Sequence, residues 1–222
     1  MPAVLFGSIG TLADTSELQR DAFNRAFAAA GLDWHWDQAD YAQLLQDSGG
    51  EQRIAAHADA VDDAVDAAAI HRVKSKLFRE SLTADAVMPR PGVVETIEEC
   101  RRDGYQVALV TTTSRENLDA LGKALRPHFD LEAFDLLVDR SEVEQPKPEP
   151  DAYRYAMRQL DTGADGCVAI EDNVGGVASA VSAGLTCVAF PGENNQAHDF
   201  NQADRRTDQL SFAELRTLVA ER

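Results

Sequence analysis

Apolar and polar positions divide the chain into two kinds of stretch. Short unbroken apolar runs occur in "VLFGSIGTLADT", "YQVALVTTTS", "FDLLVD", "CVAIEDN" and "TCVAF". Each run is bounded by glycine, hydroxyl or acidic residues, the signature of a strand buried on both faces. The intervening stretches repeat their apolar positions at helical spacing. In "TSELQRDAFNRAFAAAGL" these are Leu18, Ala22, Phe23, Ala26 and Phe27, with Thr15 or Ser16 as the cap and Gly31 as the stop. "RPGVVETIEECRRDG" predicts a helix started by Pro91, and further helices are predicted in "DAYRYAMRQL", "GGVASAVSAG" and "SFAELRTLVAE". Strands alternating with helices predict an α/β fold, a Rossmann-like parallel sheet covered on both faces.

The alternation is interrupted once. From Thr15 to about Ala84 the pattern is helical and alanine-rich, without a strand. The expected organisation is therefore a core made of residues 1–14 and 85–222, with a small helical cap inserted at 15–84. Trp34, His35 and Trp36 read as an aromatic anchor of that insert. No repeat, low-complexity tract or long linker is visible.

With 222 residues, 44% of them hydrophobic, the chain can bury a sizeable core. Its 21 basic against 38 acidic residues give a net charge of −17, a field that repels nucleic acid and anionic membranes. Neither is an expected partner. Cys100, Cys167 and Cys187 are odd in number and widely spaced, which suits reduced core thiols rather than a disulfide framework or zinc site. A signal-like start and a membrane-length apolar run are both lacking, so a cytoplasmic protein is expected.

Ligands of open α/β sheets sit at the carboxyl ends of the strands. The residues there are Gly7 to Thr11, Thr111 to Ser114, Lys147, and Glu171 with Asp172. Hydroxyls, a lysine and paired carboxylates suit a phosphate oxygen beside a divalent cation. Their order, "VALVTTTS", "PKPEPDAY" and "AIEDNVGG", resembles the haloacid dehalogenase superfamily. The insert resembles the small cap of its beta-phosphoglucomutase and CbbY-type phosphatase branch, through "LLQDSGGEQRI" and "HRVK".

The resemblance implies magnesium-dependent hydrolysis or transfer of phosphate on a small phosphorylated metabolite, a sugar phosphate in particular. It also assigns phosphate or substrate binding to Ser8, Thr11, Thr111, Thr112, Lys147, Arg53 and Lys74, and metal binding to Glu171 and Asp172. The opening motif departs from the family. Where the family carries its nucleophilic aspartate stands Gly7, and where it carries its general-acid aspartate stands Ile9. Gln19 replaces the usual hinge histidine, and Gln46 a lysine common in this branch. No residue is thus catalytic by the family route, and metal binding is expected to be weak or lost, with both Glu171 and Asp172 turning to Lys147.

The leading expectation is a catalytically degenerate protein that keeps an anion-binding crevice. The alternative is an active phosphatase with a substituted nucleophile, for which Ser8 is the candidate; a structural partner in a larger assembly is a third class. Bland readings stand beside these. Ile9 is core, Thr111 to Thr113 cap the next helix, and Lys147, Arg53 and Lys74 are solvated surface cations.

Overall fold

The computed structural model describes residues 1–46 and 49–220. Strand β1 (Ala3–Phe6) leads into a one-turn helix α1 (Ile9–Leu12). Four helices follow: α2 (Ser16–Ala29), α3 (Gln38–Leu44), α4 (Gly50–Val61) and α5 (Ala67–Ser81). The alternation then resumes with α6 (Val93–Arg102), β2 (Gln106–Val110), α7 (Arg115–Leu125), β3 (Leu136–Val138) and α8 (Asp151–Gln159). It ends with β4 (Cys167–Glu171), α9 (Val174–Ser182), β5 (Thr186–Ala189), β6 (Arg205–Arg206) and α10 (Phe212–Ala220).

The six strands are parallel, in the order β3-β2-β1-β4-β5-β6. Alternation along each strand sorts its side chains onto two faces. Val4, Phe6, Val107, Leu109, Val168 and Ile170 fill one core cluster with residues of α6, α7 and α10. Ala3, Leu5, Ala108, Cys167 and Ala169 fill the other with residues of α8 and α9. The second face carries more small residues, alanine and cysteine, than the first. All three cysteines are buried and free, as expected.

Helices α2 to α5 enclose a third cluster of Phe23, Phe27, Trp36, Tyr41, Ile54 and Ile70. Trp36 meets Phe27 edge to face and stacks with Tyr41, which fits the expected aromatic anchor, while His35 is exposed. Ala22, Phe78 and Leu82 pack instead into the first sheet cluster, so the inserted helices share their lower edge with the core.

Two local expectations are corrected. Helix α6 starts at Val93 rather than Pro91, because Gly92 takes a left-handed conformation (φ 81°) where any side chain would overlap the backbone of Leu210. The cap of α7 is Ser114, which accepts from the amide of Asn117, not a residue of the threonine run.

Candidate functional site

Strand β1 lies between β2 and β4; the chain steps outward from β1 through β2 to β3 on one side and from β4 through β5 to β6 on the other, so the order reverses between β1 and β4 and a crevice opens at their carboxyl ends. Pairing sets Phe6 opposite Ile170, which brings the next residues, Gly7 and Glu171, together. Both follow the parity of the small-residue face, where Tyr153 of α8 is also buried. Glu171 is 0% exposed and Lys147 7%. Lys147 Nζ donates to Glu171 Oε1 at 2.6 Å, to the carbonyl of Val110 at 2.7 Å and to the carbonyl of Gly7. The Tyr153 hydroxyl donates to the same Glu171 oxygen at 2.6 Å.

This arrangement decides what the crevice offers. A Cβ at Gly7 would overlap the Glu171 carboxyl group and the Tyr153 hydroxyl, and one at Gly176 would overlap Glu171 from the other side. Two glycines therefore make the seat in which the glutamate lies. Burial raises the Glu171 pKa, opposed by the charge of Lys147, and burial together with Glu171 raises Tyr153 well above its usual range. The ammonium has three N–H donors, and three protein acceptors take them. The bland alternative of Lys147 as a solvated surface cation is overturned, and in this arrangement its three donors are taken within the protein.

The remaining expected residues divide. Asp172 was expected to pair with Lys147; its Oδ1 instead accepts from Ser8 Oγ at 2.7 Å and from Asn173 Nδ2 at 2.9 Å, because Glu171 already neutralises the lysine. Ser8 Oγ also accepts from the Gly10 amide and so caps α1. Thr11 is buried and its hydroxyl donates to the carbonyl of Ser8, which turns it away from any ligand. Thr111 is buried and accepts from the Thr113 amide, while Thr112 lies half-buried at the crevice. Ile9 is 7% exposed within the first core cluster, as its apolar character predicts.

A second basic cluster lies under the inserted helices. Lys74 of α5 is only 4% exposed, against the expectation of a surface cation. Its ammonium stands 4.5 Å from the centre of the Phe23 ring and 5.0 Å from that of Phe78, and donates to Gln19 Oε1 at 2.9 Å. The guanidinium of Arg53, half-buried, lies 5.9 Å from the same Phe23 ring and 5.7 Å from Tyr41, with its Nε donating to the carbonyl of Leu44. Burial, aided by the charge of Arg53, lowers the Lys74 pKa to about 7, and burial with these two cations lowers His71 to about 4. Among the described residues no carboxylate forms an ion pair with Lys74. Asp47 and Ser48 of the "LLQDSGGEQRI" segment lie outside the described residues.

Three contributors were missed in the sequence. Tyr153 sits within a predicted helix and carries no motif; the parity of β1 and β4 is the signal that could have found it. Arg90 stands before a predicted helix and carries no motif either. Its guanidinium lies 3.4 Å from the centre of the Phe190 ring and donates to the carbonyls of Gly10, Phe190 and Pro191. It thereby ties the opening turn to the end of β5. The third is the 193–198 turn beyond β5, which no period or motif marked.

The residues present do not fit a magnesium ion, which prefers about six oxygens in octahedral array. Glu171 Oε1 is committed to Lys147 and Tyr153. Its Oε2 is buried without a hydrogen-bond partner among the described residues, in the seat that the two glycines make. The Gly7 carbonyl takes Lys147, and Ile9 offers no donor. Asp172 is the one carboxylate of the motif left at the crevice, and among the described residues no cluster of three or more His, Cys, Asp or Glu could hold a metal.

The chain is similar to known proteins over nearly its full length. Protein CbbY of Cereibacter sphaeroides is 42% identical over 216 residues, covering 96% of this chain and 93% of that one. Protein CbbY of Rhodobacter capsulatus is 39% identical over 218 residues, covering 96% and 95%. The crystal structure of CbbY from Rhodobacter sphaeroides in complex with phosphate superposes with a TM-score of 0.86 at 42% identity, over 97% of this chain and 96% of that one. A mutant of that CbbY, crystallised with xylulose-(1,5)bisphosphate, matches equally well. Beta-phosphoglucomutase of Clostridium difficile, at 16% identity and a TM-score of 0.79, shares the fold. A family model described as haloacid dehalogenase-like hydrolase matches residues 1–184, and with these relatives it shows that the chain belongs to the haloacid dehalogenase-like hydrolase family.

Proposed function

We propose that this chain is a non-hydrolysing member of its family that binds a small phosphorylated metabolite between the crevice and the inserted helices. One observation carries the reading. The place beside Gly7 where the family's nucleophilic side chain would begin is filled by the carboxyl group of Glu171, neutralised by Lys147 and Tyr153. No nucleophile remains there, and Ile9 supplies no acid. Loss of a nucleophile from a catalytic unit costs on the order of a million-fold in rate. Ser8 is a poorer candidate for a substituted nucleophile, since its oxygen caps α1 and its hydrogen is given to Asp172, with no histidine or lysine base bonded to it.

Binding has separate support. Arg53 and Lys74 place two cations about one aromatic ring, and a buried ammonium with no carboxylate partner among the described residues is costly until an anion meets it. The CbbY crystals with phosphate and with a sugar bisphosphate suggest the ligand class.

Calorimetry with inorganic phosphate and with a pentulose bisphosphate tests this. Saturable binding is expected, at least about tenfold weaker in Arg53→Ala or Lys74→Met, in line with charge-assisted bonds worth about 1.5–3 kcal/mol. The pH dependence has a definite sign. Lys74 is charged below about pH 7 and neutral above it, so affinity falls as pH rises through about 7. Ligand phosphate loses its second charge below about pH 6, which sets the lower edge of the optimum. Lys74→Met should remove the alkaline decline. No binding of either anion between pH 6 and 8 would refute the proposal.

A further inference from the structure

The segment that follows β5 joins parts of the chain that are otherwise far apart. Residues Glu193–Asn195 form a 3-10 turn, and it continues to His198. On one side the turn meets α3 of the inserted helices. Gln38 Nε2 donates to Asn194 Oδ1 at 3.0 Å and to Glu193 Oε1 at 3.3 Å, and His198 Nε2 lies 2.8 Å from the carbonyl of Ala42. Asn194 Nδ2 also donates to Glu17 Oε1 of α2 at 2.6 Å. Asn194 and His198 are buried although both are polar, so these bonds lie in the contact itself and not on its rim.

On its other side the turn holds the core. The Glu193 amide donates to Asp14 Oδ2 at 2.6 Å, and Asp14 Oδ1 accepts from the amide and hydroxyl of Ser16 at the start of α2. Burial opposes the charge on Asp14, yet these hydrogen bonds keep its pKa below the usual value. A Cβ at Gly192 would stand 2.7 Å from Asp14 Oδ2, so the glycine permits this close approach. Asn195 Nδ2 donates to the backbone carbonyl of Asp172 at 3.0 Å, the residue whose side chain holds Ser8.

We infer that the 192–198 turn is a clasp that fastens the inserted helices to the core and links their position to the Asp172 end of the crevice. One arm of the linkage runs by hydrogen bonds from Ala42 through His198 and Asn195 to Asp172, and a second runs from Gln38 to Asn194, which the peptide bond joins to Asn195. On the opposite side the inserted helices are joined to α7 by Arg79, which donates to Asn117 Oδ1 at 3.0 Å. With the clasp released, that side becomes the hinge and α3 the moving end. The inference does not rest on the function proposed above.

Amide hydrogen exchange on the full chain tests it, because exchange reads the opening of each segment separately. In Asn194→Ala combined with His198→Ala, the amides of α3 should exchange at least about tenfold faster while those of β1 and β4 keep their protection. Gln38→Ala, at a less buried position, should produce the same pattern to a smaller extent, and serves if the double variant does not fold. Unchanged exchange in α3 would overturn the clasp. So would equal acceleration of α3 and β1, which would mean that the residues only stabilise the fold as a whole.

Discussion

Gly7→Asp combined with Ile9→Asp is expected to create a magnesium-dependent phosphatase. The Gly7 seat dictates how. An aspartate side chain cannot share the space with Glu171 and Tyr153, so Glu171 must rotate out of its pocket toward the crevice. That movement releases Glu171 Oε1 from Lys147 and returns two carboxylates and Asp172 to one opening. Each single reversion should do little, since nucleophile and acid act as a unit. The double variant should exceed the wild-type background in phosphate release by about a thousandfold or more, within the span that removal of a nucleophile commands. The gain should vanish with Asp172→Asn. A cost accompanies it, because Ile9 packs in the main core cluster and a carboxylate there loses solvation, about 1–3 kcal/mol. A folded double variant that stays inert would contradict the proposal that positions 7 and 9 decide the chemistry of this crevice.

The second large effect is on stability. Lys147→Met leaves Glu171 fully buried with the Tyr153 hydroxyl as its one side-chain partner among the described residues. Breaking a buried pair from one side costs about 3–5 kcal/mol, a large share of the roughly 5–15 kcal/mol that holds a typical domain together. For a chain of this length the melting temperature should fall by about 10 °C or more. Glu171→Gln in the same background should recover a large part of the loss, since the unpaired charge is gone while an amide oxygen still accepts from Tyr153. Urea unfolding of the four members of this cycle measures the coupling. Additive losses would show that Lys147 and Glu171 do not act as a pair.

Five of the six strands were legible in the sequence because they appear as apolar runs, most of them fully buried, whereas β6, the exposed pair Arg205–Arg206, carries no such signal. The alternation of Val4 and Phe6 with Ala3 and Leu5 sends successive side chains to the two layers. The inserted helices were legible as a type, since α2 repeats its apolar residues at clear helical spacing. The crevice was legible as a set of residues and not as an arrangement. Lys147, Glu171 and Asp172 do converge on the ends of the central strands, but nothing in the linear order says which carboxylate takes the lysine. That choice follows from strand parity: Glu171 points to the face that Gly7 leaves open, and Asp172 to the face where Ser8 waits. Burial of Lys74 escaped the sequence reading for a related reason. A lysine at one helix position looks solvated until Phe23 of another helix is placed over it. Arg90 and the 193–198 turn make tertiary contacts with segments 80 or more residues away, and no local period announces such contacts.

If, as proposed, an anion is held between this crevice and the inserted helices and is not cleaved because Glu171 occupies the place beside Gly7, phosphorus NMR of the wild-type protein with magnesium and a pentulose bisphosphate reads both properties in one sample. The expected result is a substrate resonance that shifts or broadens with protein concentration, while no inorganic phosphate accumulates above the protein-free control. Inorganic phosphate that appears only with magnesium, and stops appearing in Asp172→Asn, would contradict it.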